Sequence, residues 1–422
     1  MYAGLDFGTS NCLIGIWGDN RPTLLPLEGK SNRLPSALYT SRQDENQSIS
    51  ESLYSDTEIA FGEAAILRHA EDSESGYFIK SPKSFLGADI RKNQLDMFSK
   101  IVTSMLVHIK SNAENTTQSA LQNIVLGRPV NFHGTRGEEG NRQAISIIEQ
   151  SAIAAGFKNI EFQMEPMAAA LDFERSLTED LTVLVLDAGG GTTDCSMVKL
   201  GPSTIQSDDR TDSILGHSGD RIGGTDLDIK LALHKIMPHF GKDSLLKNGL
   251  PIPLKLFWDA VTINDVNVQS QFLSARTTRE IASYMAQAVD KKKFQRFQML
   301  QEERLILRLN RTSELAKINL SDQDQVELPL DYIEQNFAIP VSRNDLRDSI
   351  KSELDVFIAL MKEVEIQADT KPDLIYVTGG TAKSPVIEEW IRSNYRDINI
   401  VIGDAFGSVV SGLTTWAHRI YR

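Results

Sequence analysis

Residues 187–194 read DAGGGTTD, and this short stretch decides the fold. An apolar run rich in Leu and Val precedes it at residues 181–186, and a second apolar run follows at residues 195–200. Short apolar runs on both sides of a glycine-rich stretch predict a buried strand, a tight turn and a second strand. The aspartates at the two ends of the stretch place carboxylates beside this turn.

The same pattern occurs near the start of the chain. Residues 6–11 read DFGTSN and lie between a strand-like segment from residue 2 and another at residues 12–17. Asp6 and Asp187 are 181 residues apart, so a strand–turn–strand unit opens each half of the chain. This repetition predicts an internally duplicated α/β protein. At 422 residues, the chain is also too long for one compact core, which predicts two domains or lobes.

Both turns carry groups that suit phosphate oxygens. Glycine lets a backbone N–H approach a ligand closely, and Ser and Thr hydroxyls add donors. We expect the phosphates to contact Gly8, Thr9, Ser10, Asn11, Gly189, Gly190, Gly191, Thr192 and Thr193. The alternatives are an ordinary hairpin for the first turn and a glycine-rich tight turn for the second.

The carboxylates of Asp6, Asp187 and Asp194 would repel a triphosphate unless a cation lay between them. Mg²⁺ fits, because it prefers oxygen ligands and keeps several of its waters. The three carboxylates would then hold it largely through water. The chain has no GxxxxGK[ST] loop and no GxGxxG after a strand, so the predicted phosphate site belongs to neither of those two types.

Composition excludes several other functions. The net charge of −13 opposes a general nucleic-acid-binding role. The two cysteines, Cys12 and Cys195, form no CxxC pair, so zinc is not expected. No apolar run approaches the roughly 20 residues of a membrane span. The N-terminus shows no targeting signal, which predicts a cytoplasmic protein.

Coarser patterns predict mainly helical structure at residues 56–110 and at residues 226–319. Along the whole chain, seven segments occur in a fixed order. They are residues 6–12, 83–87, 164–170, 187–194 and 223–228, the set Glu314, Lys317 and Ser321, and residues 379–385. Together they resemble the nucleotide-binding domain of the seventy-kilodalton heat-shock (DnaK-like) chaperones, in the actin and sugar-kinase superfamily. The likeness is greatest to the short YegD-like branch.

This resemblance implies an α/β fold of the two-lobed, actin-like ATPase type, with duplicated ribonuclease-H-like cores and a nucleotide cleft between the lobes. Lobe I would comprise residues 1–180, with an inserted subdomain at about 37–110. Lobe II would comprise residues 181–422, with a mostly helical insertion at about 226–310. The terminal helix would pack back toward lobe I.

The resemblance also implies roles for single residues. Lys83 would lie near the γ-phosphate and the attacking water, with Glu165, Asp187 and Thr192 completing the catalytic set. The metal would be held by Asp6, Asp187 and Asp194. The remaining nucleotide contacts would come from Gly223, Gly224, Glu314, Lys317, Ser321, Gly379, Gly380, Thr381, Lys383 and Asp404. Taken singly, Lys83 could be a surface lysine, Glu165 a helix start, and Glu314 with Lys317 an exposed helix pair.

The chain departs from the chaperone pattern at several positions. Asn131 stands where the chaperones have an aromatic residue, although Pro129 and Arg142 match. Lys383 replaces an arginine. Nothing follows the terminal helix in the sequence, so we expect no peptide-binding domain.

These features predict a slow, chaperone-like ATPase that uses ATP or ADP with Mg²⁺, with K⁺ as a further candidate ion. Its partner would be a protein of the nucleotide-exchange or co-chaperone kind, and the chain itself a monomer without nucleic-acid or membrane partners. One alternative is a non-enzymatic interaction module gated by nucleotide. Another is a small-molecule kinase of the same superfamily.

Overall fold

The structure is a computed structural model that describes residues 1–42, 47–53, 59–71, 76–89, 91–132, 137–205, 210–404 and 407–422. Two compact units divide the chain. The first comprises Met1–Gly223, Phe357–Lys383 and Arg392–Arg422, and the second comprises Gly224–Val356 and Ser384–Ile391. The predicted lobes at residues 1–180 and 181–422 are a different partition, which stays a prediction.

The described residues form sixteen strands and fifteen α-helices. The strands are β1 (Tyr2–Phe7), β2 (Asn11–Gly18), β3 (Arg21–Leu24), β4 (Leu34–Pro35), β5 (Ala37–Ser41), β6 (Ile59–Phe61), β7 (Gly76–Lys80), β8 (Asn123–Arg128), β9 (Asn159–Met164), β10 (Leu181–Ala188), β11 (Thr193–Leu200), β12 (Ile214–Asp220), β13 (Gln325–Pro329), β14 (Ala338–Ser342), β15 (Leu374–Thr378) and β16 (Asn399–Ile402). The helices are α1 (Ile49–Ser52), α2 (Gly62–Glu71), α3 (Lys92–Thr117), α4 (Gly137–Ala154), α5 (Glu165–Glu174), α6 (Gly224–Leu231), α7 (Leu254–Val261), α8 (Val266–Phe272), α9 (Ala275–Gln287), α10 (Lys291–Glu302), α11 (Ile306–Asn319), α12 (Arg343–Ser349), α13 (Lys351–Ala368), α14 (Pro385–Asn394) and α15 (Ser408–Tyr421).

Two sheets of the first unit repeat one topology. The first has the strand order β3-β2-β1-β8-β9, with β4 also pairing with β2, and the second has the order β12-β11-β10-β15-β16. In each, an antiparallel hairpin (β1–β2 or β10–β11) is followed by a parallel neighbour on its other side (β8 or β15). This equivalence confirms the α/β duplication that the two turns predicted, and it places both turns at corresponding ends of the sheets.

The core of the first unit explains why the central strands are so apolar. Val183 and Val185 of β10 pack with Val125 of β8, and all three side chains are fully buried. Strands that are covered on both faces need apolar side chains in both directions, so β10 reads as an almost unbroken run of Leu and Val. The rigid sheet that results is the support for the turn at the end of β10.

Helix α15 packs against α5 and against β1 in the first unit. The contact is close enough to require glycine. A Cβ atom at Gly412 would lie 1.7 Å from the carbonyl oxygen of Ala168. Because α5 begins at Glu165, this packing fixes the helix that carries one of the predicted site residues.

The second unit is mainly helical, as predicted for residues 226–319, and it also contains the hairpin β13–β14. Its core includes a cluster of buried phenylalanines, in which Phe257 contacts both Phe294 and Phe297. The prediction of mainly helical structure at residues 56–110 was wrong in part. Strands β6 and β7 lie there and pair with β5 on either side.

Candidate functional site

The two glycine turns close in the same way. The N–H of Gly8 donates to the carbonyl oxygen of Asn11 at 3.1 Å, and the N–H of Gly189 donates to that of Thr192 at 2.9 Å. Each bond joins a residue to the third residue after it. The duplication therefore extends from the sheet topology to the hydrogen bond that shapes each turn.

The two turns also face each other within the first unit. A Cβ atom at Gly190 would lie 2.0 Å from Oγ of Ser10, and one at Gly191 would lie 2.7 Å from Cγ2 of Thr9. A side chain at position 190 or 191 would thus collide with the opposite turn. Glycine is the residue type that allows such a close approach of two backbones, and it is also the type that lets a backbone N–H approach a phosphate.

Lys83 lies in a single turn of 3₁₀ helix, Pro82–Phe85, and its Nζ atom is 2.6 Å from Oε1 of Glu165. Lys83 is only 5% exposed, so it is not the surface lysine that the isolated sequence allowed. Glu165 does begin a helix, α5, but it is buried as well. Pro166 at the first turn of α5 costs no hydrogen bond there, because the first N–H groups of a helix have no partner within it.

Four carboxylates surround this one ammonium group. Asp187 and Asp194 are opposite each other in the β10–β11 register, and both are buried. Burial, followed by the charge of Glu165, raises the pKa of Asp6 to about 7, although the charge of Lys83 acts to lower it. Burial, followed by the charge of Glu165, also raises the pKa of Asp194 to about 7 and holds that of Asp187 well above its usual range.

The same cluster also affects the pKa of Lys83. Burial alone would lower the pKa of Lys83, but the charges of Glu165 and Asp6 and the hydrogen bond to Glu165 raise it overall. Lys83 therefore stays charged, and full ionisation of the four carboxyl groups would leave the cluster with an excess of negative charge. A bound cation would relieve that excess.

The carboxylates are candidate partners of a hydrated cation. Among the described residues, no three His, Cys, Asp or Glu side chains converge closely enough to hold a metal ion between them. Mg²⁺ usually keeps several waters and takes one or two carboxylates, so Asp6, Asp187 and Asp194 would hold it through water.

A third glycine segment joins the second turn. Gly379 has a φ of +92°, and a Cβ atom there would lie 2.3 Å from the carbonyl oxygen of Ala188. Thr381 donates from Oγ1 to the carbonyl oxygen of Gly189 at 2.8 Å. The turn Gly380–Lys383 thus sits directly on residues 188 and 189, and Asp404 follows the neighbouring strand β16.

Of the remaining predicted residues, Gly223 belongs to the first unit, and the others lie in the second. A Cβ atom at Gly223 would lie 2.4 Å from the backbone nitrogen of Gly191, so this glycine borders the second turn. In the second unit, Nζ of Lys317 lies 2.7 Å from the carbonyl oxygen of Gly224 and 2.8 Å from Oδ1 of Asp228.

Helix α11 carries Glu314 and Lys317, but it ends at Asn319. Ser321 therefore lies in the turn that follows, not on the helix that the sequence predicted. Glu314 forms an ion pair with Arg311 at 3.0 Å.

Comparison with known proteins agrees with this geometry. Residues 77–247 match the family model described as Hsp70 protein. The chaperone protein DnaK of Mycoplasmopsis synoviae (strain 53) is 23% identical over 432 residues, which cover 97% of this chain and 58% of that protein. The chaperone protein HscA homolog of Pseudoalteromonas atlantica is 23% identical over 423 residues, covering 93% and 54%. DnaK of Nitrosopumilus maritimus is 27% identical over 248 residues, covering 57% and 34%.

The family model and these relatives support an Hsp70-family nucleotide-binding domain in this chain. It spans about half the length of the curated relatives that it matches. The predicted family and the actin-like ATPase fold class are confirmed, whereas the YegD-like branch stays a prediction. Among the described residues, no helix combines the length and the apolar character that crossing a bilayer needs.

Two contributors to the Hsp70-type site were missed from the sequence. Ser36 donates from Oγ to the carbonyl oxygen of Gly8 at 2.7 Å and from its N–H to the carbonyl oxygen of Ser10 at 2.9 Å. These two bonds stabilise the first turn. The N–H of Val130 donates to Oδ1 of Asp194 at 2.7 Å. Any residue type except proline can supply a backbone donor, so the sequence does not reveal the role of Val130. The only sequence signal for Ser36 is a hydroxyl directly after Pro35 of β4.

Proposed function

We propose that this chain binds ATP and ADP with Mg²⁺ and hydrolyses ATP slowly, as a chaperone-type ATPase. One observation carries the proposal. The buried Lys83–Glu165 pair lies in a cluster with Asp6, Asp187 and Asp194, beside two glycine turns that face each other. A buried excess of carboxylates around one lysine is costly, and a Mg²⁺ ion held between the carboxylates and the nucleotide phosphates would offset that cost.

The residues of the chain would divide the work as follows. Backbone N–H groups at Gly190 and Gly191 would donate to phosphate oxygens, and the hydroxyls of Thr9 and Thr192 would add donors on opposite sides. Preorganised donors of this kind stabilise charge as it develops on a transferring phosphoryl group. Since the turns are fixed by their own hydrogen bonds, they would need little reorganisation during the reaction.

Lys83 would supply a fixed positive charge beside the γ-phosphate. Glu165 holds its ammonium group at 2.6 Å and so determines where that charge lies. Asp187 and Glu165 would orient the attacking water. Bound Mg²⁺ would supply further charge neutralisation of the phosphates. The site is buried, so these electrostatic interactions are screened less than they would be in water.

Calorimetry and phosphate release together test the proposal. We expect ATP and ADP to bind in the presence of Mg²⁺, and purified protein to release phosphate in proportion to ATP consumed. Binding without turnover, alone or with cell extract, would leave the nucleotide-gated interaction module as the better account. Turnover that depends on an added small acceptor, with transfer of the phosphoryl group to it, would instead favour the kinase.

We further propose that nucleotide exchange on this chain is set by a protein partner of the nucleotide-exchange or co-chaperone kind, and that the protein acts in the cytoplasm as a monomer. Support comes from the membership of the Hsp70 family alone. Pull-down from native lysate with ADP, with ATP and with a Lys83 variant tests the partner. Identical sets of captured proteins in all three states would count against a nucleotide-dependent partner.

A further inference from the structure

The segment after β8 forms a second layer behind Asp194. Val130 donates its N–H to Oδ1 of Asp194 at 2.7 Å, and both residues are buried. This bond links the segment that leaves the first sheet to a carboxylate on the second sheet. It fixes one oxygen of Asp194, and the side chain of Thr192 also hydrogen-bonds to this carboxylate.

The next residue reaches the strand beside Asp194. Asn131 donates from Nδ2 to the carbonyl oxygen of Gly219 at 3.2 Å. Gly219 is the partner of Asp194 in the β11–β12 register, and a Cβ atom at Gly219 would lie 2.5 Å from Oδ1 of Asp194. Val130 therefore bonds to the carboxylate of Asp194 on β11, and Asn131 bonds to its paired residue on β12.

Asn141 of helix α4 holds this segment from behind. Its Oδ1 accepts from the N–H of Phe132 at 2.7 Å, and its Nδ2 donates to Oδ1 of Asn131 at 3.1 Å. Each of these two asparagine side chains thus accepts through its amide oxygen and donates through its amide nitrogen, and the partners determine which end points where. Because the N–H of Phe132 can only donate, Asn141 must present its oxygen there and its nitrogen to Asn131. Asn131 in turn must present its nitrogen to Gly219.

We propose that the Asn131–Asn141 amide pair is a positioning device for Asp194. The pair holds the backbone at residues 130–132, so that Val130 keeps its N–H on Asp194 and the carboxylate keeps the orientation needed to bind a hydrated cation with the nucleotide. This inference rests on the proposed Mg²⁺–nucleotide function. It assigns no contact between either asparagine and the ligand.

Residues that orient a metal-binding carboxylate act through geometry. Groups that hydrogen-bond to such ligands typically contribute tenfold to a hundredfold to metal affinity. In this chain the orientation of Asp194 depends on a connected set of hydrogen bonds. Loss of one asparagine amide leaves the other asparagine without one of its partners.

The chain supplies a matched control. Asn159 donates from Nδ2 to Oδ1 of Asn123 at 2.8 Å, which is the same amide-to-amide bond. This second pair is exposed and sits at the starts of β8 and β9, away from the ends that carry the turns. Asn159→Leu therefore removes the same chemistry from the same sheet without touching the segment behind Asp194.

Two measurements on Asn131→Leu test the proposal. Amide hydrogen exchange in nucleotide-free protein is expected to become faster at Val130 and Phe132. Calorimetry with ADP is expected to show affinity weakened about tenfold or more in Mg²⁺ but unchanged in chelator. Asn131→Asp, which keeps the acceptor for Asn141 but loses the donor to Gly219, is expected to act in the same direction should Asn131→Leu not fold. Asn159→Leu is expected to behave like the wild type in both measurements.

Unchanged exchange at Val130, or unchanged affinity in Mg²⁺, would overturn the inference. Equal losses of affinity with and without Mg²⁺ would also overturn it, since they would show a general structural role. Failure of the wild-type protein to bind any nucleotide would instead refute the proposed function, and the exchange measurement would still decide whether the amide pair holds Val130 in place.

Discussion

The ammonium nitrogen of Lys83 lies 2.6 Å from Oε1 of Glu165, and both side chains are buried. The two residues are 82 positions apart, one in a short turn after β7 and the other at the start of α5. Their pairing gives the lysine a fixed position. It also makes each charge depend on the other, because a buried charge that loses its partner is strongly destabilising.

Replacing Lys83 should separate catalysis from binding. We expect Lys83→Ala to lower ATP turnover by about a hundredfold or more, since one fixed charge on the transferring group is lost. Nucleotide binding should remain largely intact, because the glycine turns provide most of the phosphate donors. Phosphate release and calorimetry measure the two effects.

The control for this experiment removes both charges. Lys83→Ala alone strands the Glu165 carboxylate and should also lower the free energy of unfolding by about 3–5 kcal/mol. Lys83→Met combined with Glu165→Gln should recover most of that stability, but it should not restore ATP turnover. Loss of nucleotide binding in this stable double variant would show that Lys83 serves binding and not the chemical step.

The raised carboxylate pKa values predict how stability depends on pH. Burial raises the pKa of Asp6 and Asp194 from 3.8 to about 7, so the folded chain binds these protons more tightly than the unfolded chain does. Stability falls with rising pH wherever the folded state binds more protons. The contribution of these two groups to the Tm of the nucleotide-free protein should therefore decrease as the pH rises from about 4 to about 7. Calorimetric scanning measures this Tm.

Asp6→Asn isolates this effect. It should raise the Tm of the nucleotide-free protein relative to the wild type, and more at about pH 8 than at about pH 5, because the penalty for the buried charge grows through that interval. The exposed Asp322→Asn serves as the control and should change Tm little at either pH. A larger gain for Asp6→Asn at the lower pH would contradict the assigned direction.

Close approach of the two turns predicts a steric effect. Gly190→Ala places a Cβ atom 2.0 Å from Oγ of Ser10, so we expect it to destabilise the protein by about 1–3 kcal/mol and to weaken nucleotide binding. Gly190→Ala combined with Ser10→Gly should regain part of the stability. Chemical denaturation and calorimetry provide the measurements.

Gly18→Ala is the matched control. A Cβ atom there would meet only Oγ1 of Thr23, at an ordinary 3.7 Å. We expect this variant to bind nucleotide like the wild type. If Gly190→Ala were equally well tolerated, the two turns could not be as close as the structure has them.

How far the sequence predicted this site depends on whether the relevant information is local. The turns at Gly8 and Gly189 were predicted correctly, because glycine next to a buried strand restricts the nearby backbone directly. The burial of Lys83 could not be read from its neighbours, since it depends on Glu165, 82 residues away. The donor from Val130 to Asp194 is a backbone group and leaves no mark in the residue pattern.

The fold shows the same limit. Residues 59–61 are too few to display an alternating pattern, and they form β6 only by pairing with β5. By contrast, β10 and β11 are joined by a short turn, so their pairing follows from adjacent sequence. The hairpin β10–β11 was therefore predicted, and β6 was not.

Lys383 gives a prediction about base recognition. It is the last residue of the turn Gly380–Lys383, in which Thr381 donates a hydrogen bond to Gly189. The chaperones that this chain resembles have an arginine at this position. The planar guanidinium of arginine stacks on an aromatic base, and an ammonium group does so less well. We expect Lys383→Arg to tighten ATP binding about three- to tenfold and to increase the preference for ATP over GTP. Calorimetric titration of both nucleotides measures this, with Lys371→Arg, at the exposed start of the segment before β15, as a control that should change neither affinity. Equal ATP affinity and an equal ATP-to-GTP ratio in Lys383→Arg and the wild type would mean that residue 383 does not contact the base.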